Sequence, residues 1–377
     1  MPTRRKRTLS VDAEFDRRMM AGALRLGRRN LGQSGRNPAV GCIIVGTKGE
    51  DRIVVGRGWT AIGGRPHAEK AALAVAGSSA KGAVAYVTLE PCAHRQRGGS
   101  CAAALIEAGV ARVVTAMADP DPRTSGKGHA ALAEAGIAVT TDVLAGEASR
   151  AHSGHICRIT KGRPHVTLKL AVSADGMIGK REGERMIISG KATFDMVHVM
   201  RTAFDAIMVG IGTALVDDPL LTVRQVRRER PLTRVLFDRR LRISPSARLF
   251  STLDAGPVII VTTPEGMAHA PSRASELEQA GARLEPIAHG ALHEAFGRLA
   301  AVEVMSLLLE GGVALQTAVW EAGLVDAVHL YIAPVTIGDH GVAWLDTHAL
   351  VVGALADRRV TRCGPDVFVE GYVHGID

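Results

Sequence analysis

Ala85-Tyr86-Val87-Thr88-Leu89-Glu90-Pro91-Cys92 reads as an apolar strand that stops at a carboxylate, a proline and a thiol. Valine, tyrosine and threonine favour an extended chain, and proline cannot donate to a continuing ladder. A strand of this kind followed by a helical run belongs to an α/β sheet, where ligands gather at the carboxyl ends of the strands. Cys92 stands at such an end. Upstream, His67-Ala68-Glu69 puts an imidazole and a carboxylate on a first helical turn; downstream, Cys101 leads into the apolar run Ala102-Ala103-Ala104-Leu105-Ile106. One imidazole and two thiolates hold zinc while leaving a fourth position for water, whose pKa the metal lowers toward neutrality. Glu69 is not needed as a ligand and can carry the proton of that water to a leaving amine. The ordered set predicts one Zn2+ per chain bound by His67, Cys92 and Cys101, and a deaminase with Glu69 as its catalytic group.

Deaminases of nucleic acids and nucleosides usually space their cysteines as Cys-x-x-Cys, whereas here eight residues intervene. The insert is basic, with His94, Arg95 and Arg97 beside Gly98-Gly99-Ser100, and suits an anionic substrate. The competing reading is a solvated loop tip.

The 377 residues are enough for two domains with full cores. Of 46 basic and 38 acidic residues, ten and three fall in residues 1–36, leaving 36 and 35 in the rest. The net charge of +8 is therefore a basic tail and first helix and not a groove. With aromatic residues at 3%, stacking platforms are too few for a nucleic-acid partner. Five dispersed cysteines indicate a reducing compartment. No apolar run approaches the roughly 18 residues of a membrane span, so a cytoplasmic protein with no membrane partner is expected. The oligomeric state is left open, a homo-oligomer included.

Four segments are expected: a disordered basic tail at 1–10, a zinc deaminase domain at 11–146, a connection at 147–163, and a second α/β domain at 164–377. Ser10 is expected to cap a first helix whose apolar face is Phe15, Met19, Ala23 and Leu26. Strands are expected at 39–45, 52–59, 85–89, 111–118 and 137–143, with helices after His67, after Cys101 and near 129–136. From Arg163 the pattern restarts with a strand through Val166, Leu168, Leu170 and Val172, and further strands are legible at 206–209, 233–238, 258–262, 305–309 and 328–332. Two glycine turns at strand ends, Gly210-Ile211-Gly212-Thr213 and Glu310-Gly311-Gly312, offer backbone amides to phosphates; plain turns are the alternative. No complete Gly-x-Gly-x-x-Gly with a downstream acid is present, which argues against an ordinary Rossmann domain.

From Asp12 onward the chain resembles the bifunctional deaminase-reductase of riboflavin biosynthesis. The resemblance rests on Asn37-Pro38-Ala39-Val40-Gly41-Cys42, Gly64-Arg65-Pro66-His67-Ala68-Glu69, Thr88-Leu89-Glu90-Pro91-Cys92 with Cys101, and Asp119-Pro120-Asp121-Pro122. In the second half it rests on Lys169-Leu170-Ala171 to Asp175-Gly176, Gly210 to Asp217-Asp218-Pro219, Leu221-Thr222-Val223-Arg224, and Glu310-Gly311-Gly312. It implies an α/β chain with an N-terminal cytidine-deaminase-like domain and a C-terminal dihydrofolate-reductase-like domain. The implied substrate is a phosphorylated pyrimidine, 2,5-diamino-6-(5-phosphoribosylamino)pyrimidin-4-one, deaminated first and then reduced by NADPH from ribosyl to ribityl. By the same resemblance Asn37, His94, Arg97, Asp119 and Asp121 contact the deaminase substrate, while Arg185, Arg201, Leu221, Arg224 and Glu310 contact the reductase substrate. Ala171, Ile187, Thr213, Asp217, Arg239, Gly312, Val313 and Ala314 are implied to bind the cofactor. Departures from the family pattern fall in both halves: in the first, Thr60 stands where histidine is frequent, Arg97 where lysine is common and Asp121 where asparagine is usual, none of them a metal ligand, and in the second, Arg185-Met186-Ile187 replaces Ser-x-Trp and Arg239 replaces a small residue. A deaminase with an altered reductase domain, and a nucleic-acid-editing deaminase, are the alternatives these features leave.

Overall fold

The computed structural model describes residues 11–94, 99–180, 186–224, 226–344 and 353–374. The basic segment 1–10, with its expected Ser10 cap, lies outside them. The chain divides into two compact units, Met1–Thr160 and Lys161–Asp377.

The first unit runs α1 (Val11–Gly27), β1 (Gly41–Lys48), β2 (Asp51–Trp59), α2 (Ala68–Ala76), β3 (Val84–Val87), α3 (Cys101–Glu107), β4 (Arg112–Thr115), α4 (Lys127–Glu134), β5 (Ala138–Thr140), α5 (Ala145–Ala151) and α6 (Ser153–Lys161). Its sheet has the order β2-β1-β3-β4-β5. β1 is antiparallel to both neighbours, and β3, β4 and β5 are parallel. Alternation along β1 builds a core on each face: Cys42 and Ile44 cluster with Ala68, Ala72, Ala102 and Leu105, whereas Ile43 and Val45 join Met20, Ala23 and Leu24. A Cβ on Gly58 would lie 2.2 Å from the Ala68 carbonyl oxygen. The bare glycine therefore lets the start of α2 seat against β2, which sets the position of His67 and Glu69.

The expected face of α1 packs inward: Ala23 is buried with Met20 and Leu24, and Phe15, Met19 and Leu26 pack against the same cluster. The sequence did not disclose that Asp16 is buried beside them, accepting from the Tyr86 hydroxyl at 2.7 Å and from Arg112 Nη2 at 2.6 Å. The stretch 147–163, expected as a connection, is largely helical, through α5 and α6, and the division between the two units falls within it after Thr160. Its inward side is carried by histidines: His152 Nε2 lies 3.1 Å from Thr88 Oγ1, and His155 Nε2 lies 2.9 Å from Asp119 Oδ1.

Burial holds the His152 imidazole down at about 4. The unfolded chain titrates near ~6.5, so between those values the unfolded state binds a proton that the folded state refuses. Stability is accordingly full above about pH 6.5 and falls as the pH drops toward the folded value. Thermal unfolding from about pH 7 to about pH 4 is expected to lower Tm more in wild type than in His152→Asn; equal losses would dismiss His152 as the source.

The second unit runs β6 (His165–Ser173), β7 (Met177–Lys180), α7 (Lys191–Arg201), β8 (Ala206–Gly210), α8 (Ile211–Asp217), β9 (Thr233–Phe237), β10 (Val258–Thr262), α9 (Pro264–His269), α10 (Pro271–Gln279) and β11 (Ala282–Pro286). It continues α11 (Leu292–Ala301), β12 (Ser306–Glu310), α12 (Val313–Glu321), β13 (Ala327–Ala333), β14 (Gly341–Ala343), β15 (Ala356–Cys363) and β16 (Asp366–Tyr372). Nine strands form one sheet in the order β11-β10-β9-β8-β12-β6-β13-β16-β15. Pairings are parallel from β11 to β13 and antiparallel through β16 and β15. β12 inserts between β8 and β6, so the chain switches direction across the sheet there, and the carboxyl ends of those three strands open a crevice. Side chains alternate between two cores: Ala206 and Met208 face one with Leu307 and Leu309, Ile207 and Val209 the other with Val258 and Ile260.

Candidate active sites

His67 precedes the first turn of α2 with an extended backbone, φ −69° and ψ 158°. Ser100 caps α3, its Oγ accepting from the Ala103 amide at 3.1 Å, so Cys101 is the first helical residue. The Cys101 amide donates to Cys92 Sγ at 3.3 Å, a contact that favours the thiolate. His67 Nδ1 lies 3.3 Å from Cys101 Sγ and 3.8 Å from Cys92 Sγ. Tetrahedral zinc, with nitrogen at about 2.0–2.1 Å and sulfur at about 2.3 Å, sets nitrogen and sulfur about 3.5 Å apart. The donor atoms present fit that ion.

The electrostatics of the set are mutual. A hydrogen bond from the Cys101 thiol, then one from His67, pulls Cys92 well below an ordinary thiol. Cys101 is pushed up by its bond to Cys92 and by burial. Glu69 is 4% exposed, and burial followed by the Cys92 thiolate raises its carboxyl above the usual range.

Around this cluster the strand ends are tied together by Glu90, whose role no sequence pattern disclosed. Its Oε1 accepts from the amides of Gly128 (2.9 Å) and His129 (3.2 Å), and its Oε2 from those of Gly126 (3.0 Å) and Asp119 (3.2 Å). Asn37 lies beside the loop that delivers His67, with its Nδ2 2.2 Å from where a Cβ on Gly64 would be. His94 Nδ1 meets Thr124 Oγ1 at 3.2 Å. Asp119 and Asp121 are both buried. Arg123 donates to both carboxylate oxygens of Asp121 and holds it near 2, down from the usual range, so this carboxylate is largely committed within its own loop. Arg97 lies outside the described residues.

In the second unit a cavity of about 1230 Å³ opens at the crevice. It takes in Ala171, Ile187, Arg201, Thr213, Asp217, Leu221, Arg224, Arg239, Glu310, Gly312, Val313 and Ala314, every described residue expected there from the sequence. Arg185 lies outside the described residues. The two glycine turns converge: a Cβ on Gly312 would lie 3.5 Å from Gly210 N and 3.4 Å from Thr213 Oγ1. Gly312 adopts φ +89°, a conformation that glycine takes without strain. Leu221 is buried with φ +53°. Ile187 is 78% exposed.

Arg201 and Glu310 form a bidentate pair, Nε to Oε1 at 2.9 Å and Nη2 to Oε2 at 2.7 Å, while Arg201 Nη1 donates to the Thr222 carbonyl at 3.0 Å. The Arg201 guanidinium, expected to contact the reductase substrate, is thus already engaged, and Arg224, expected there too, is exposed beside His198 and over the Phe194 ring. Lys169, which the sequence marked only as part of a motif, pairs in register with Glu310 on the adjacent strand and lines the cavity. Burial lowers its ammonium below the ordinary lysine range, against the pull of Glu310. Arg239, Arg240 and Arg242, directly beyond β9, line the same cavity.

A three-residue thiolate and imidazole cluster beside a buried carboxylate, followed by a separate α/β unit with a cationic crevice, defines a bifunctional deaminase and reductase of α/β class whose first unit is cytidine-deaminase-like. Residues 13–117 match the family described as cytidine and deoxycytidylate deaminase zinc-binding region, and residues 164–369 match the RibD C-terminal domain. Riboflavin biosynthesis protein RibD of Aquifex aeolicus (strain VF5) is 34% identical over 362 residues, covering 94% of this chain and 98% of that protein. The structure of Acinetobacter baumannii RibD, form 1, superposes with a TM-score of 0.81 at 30% identity, covering 96% of this chain and 99% of the other. That of the diaminohydroxyphosphoribosylaminopyrimidine deaminase/5-amino-6-(5-phosphoribosylamino)uracil reductase from Thermotoga maritima gives 0.79 at 27% identity, with 96% and 99% covered. The chain belongs to the RibD family of riboflavin biosynthesis proteins. Among the described residues no helix is long and apolar enough to cross a membrane.

Proposed function

We propose that the first unit deaminates 2,5-diamino-6-(5-phosphoribosylamino)pyrimidin-4-one and that the second reduces the ribosyl group of the product to ribityl with NADPH; the Thermotoga maritima relative is named a diaminohydroxyphosphoribosylaminopyrimidine deaminase and 5-amino-6-(5-phosphoribosylamino)uracil reductase. The observation that carries this reading is the convergence of His67 Nδ1, Cys92 Sγ and Cys101 Sγ, all within 4.8 Å of one another, next to buried Glu69. A zinc ion held there supplies Lewis acidity that makes water nucleophilic near neutral pH. Glu69 takes a proton from the attacking water and returns it to the amino nitrogen, which leaves as ammonia while a carbonyl forms on the pyrimidine. His94 and Arg97 meet the phosphate, and Asn37 and Asp119 orient the pyrimidine and ribose.

In the second unit NADPH supplies a hydride. The turn at Gly312 and the start of α12, with Val313 and Ala314, present amides to its pyrophosphate, beside Ala171, Ile187, Thr213 and Asp217. Arg239 to Arg242 suit its further phosphate, since arginine pairs phosphate oxygens bidentately. Arg224 and Leu221 receive the substrate. Glu310, held by Arg201, opposes the effect of burial on the Lys169 ammonium. As C1′ of the ribosylamino group gains hydride its bond to the ring oxygen breaks, and Lys169 donates the proton which that oxygen then carries. The cytoplasm, where such phosphorylated metabolites and reduced thiols reside, is the location this chemistry suits.

Mass spectrometry of products from the phosphoribosylaminopyrimidine, with and without NADPH, tests both halves. Loss of ammonia without cofactor and further gain of two hydrogens with it are expected; an unchanged substrate would overturn the reading. Metal analysis is the companion measurement. One zinc per chain is expected in wild type and a loss of most of it in Cys92→Ser and Cys101→Ser, whereas full zinc in both variants would overturn the ligand assignment.

A further inference from the structure

α6 carries a histidine that no part of the chemistry above uses. His155 is 5% exposed, and its Nε2 stands 2.9 Å from Asp119 Oδ1. A carboxylate oxygen only accepts, so the imidazole donates. The same Oδ1 also accepts from the Asp121 amide at 2.9 Å. Both donors converge on one oxygen, and the Asp119 backbone is fixed separately, its amide giving to Glu90 Oε2 at 3.2 Å. Since Glu90 lies two residues before Cys92, Asp119 is anchored to the strand end that also bears a metal-ligand thiol.

We infer that His155 is a positioning residue of the deaminase: by holding Oδ1 of Asp119 it directs Oδ2 toward an N–H or O–H donor of the substrate. The inference rests on the proposed deamination. A carboxylate rotating about its terminal torsion has broad freedom, and two donors on one oxygen remove that freedom before substrate arrives. Preorganisation of this kind lowers the cost of binding. Because Asp119 is neither a metal ligand nor the proton carrier, its misorientation weakens binding in ground and transition states alike, which appears in KM and not in kcat.

The test compares ammonia release from the phosphoribosylaminopyrimidine by wild type, His155→Phe and His155→Gln. Phenylalanine keeps the ring volume and removes the donor; glutamine restores a donor. The expected result is a rise in KM of about tenfold for His155→Phe, the scale of a hydrogen bond to a charged group, with kcat within about threefold, zinc content unchanged and recovery of most of the KM in His155→Gln. Combined with Asp119→Ala, His155→Phe is expected to add nothing further, since residues acting through one another are not additive. A KM for His155→Phe within about twofold of wild type, or additive effects in the double variant, would overturn the inference. So would a lowered Tm with unaltered KM, which would make the histidine a peg for α6 alone. A wild-type enzyme that releases no ammonia instead removes the deaminase reading itself. In that case a crystal structure of His155→Phe still decides the positioning role, since an unmoved Asp119 carboxylate overturns it and a displaced one upholds it.

Discussion

Glu69→Gln is expected to keep one zinc ion per chain and to lose deamination by a factor on the order of a hundred or more. The two halves of that result separate ligand from proton carrier. Glutamine preserves the size of the side chain and its place in the first turn of α2, and His67, Cys92 and Cys101 complete a ligand set without it. It cannot accept and return a proton. Positioned acid–base groups contribute typically a factor of 10²–10⁴, which sets the scale of the loss. The measurement is ammonia release at saturating substrate alongside metal analysis of the same preparation, with NADPH oxidation on the deaminated intermediate as a folding control. Activity within about threefold of wild type would remove Glu69 from the mechanism, and loss of zinc would make it a ligand.

That prediction stands on residues legible in the sequence, because zinc restricts ligand chemistry so strongly that His67, Cys92 and Cys101 declare themselves despite an unusual spacing. The central strands of the second unit were legible for a different reason. Strands buried on both faces read as continuous apolar runs, as in Leu307-Leu308-Leu309 and Ala206-Ile207-Met208-Val209. β15 did not reveal itself, since an edge strand such as Asp357-Arg358-Arg359-Val360-Thr361-Arg362 is exposed throughout and shows no apolar face. α6 was hidden by the opposite circumstance. His155 is buried, yet histidine is no marker of a core, and the partner of its ring is 36 residues distant in sequence. Patterns of local period detect what packs against apolar neighbours; a helix docked through polar contacts to remote strand ends leaves no such trace.

In the reductase half the two glycine turns were legible, but Lys169, proposed above as the proton source, drew notice only through strand pairing, and Lys169→Met is the substitution that tests that role. Parallel register sets Lys169 directly opposite Glu310, which Arg201 grips bidentately. Altering Glu310 or Arg201 would be ambiguous: removing one partner of a buried ion pair costs roughly 3–5 kcal/mol, enough to unsettle the cavity itself. Methionine at 169 retains the length and apolar stem of lysine while leaving the Arg201 and Glu310 pair intact. The expected result is a fall in NADPH oxidation on the deaminated intermediate by about a hundredfold, the lower range of general acid catalysis. NADPH affinity should stay within about threefold, because the Gly312 turn and the arginines beyond β9 remain, and ammonia release by the first unit should be unchanged. Fluorescence titration of the cofactor and stopped-flow absorbance of its oxidation separate binding from chemistry. Oxidation at the wild-type rate would show that the proton comes from elsewhere, whereas a matching loss of cofactor binding would make Lys169 part of the NADPH site instead of the acid that completes the reduction.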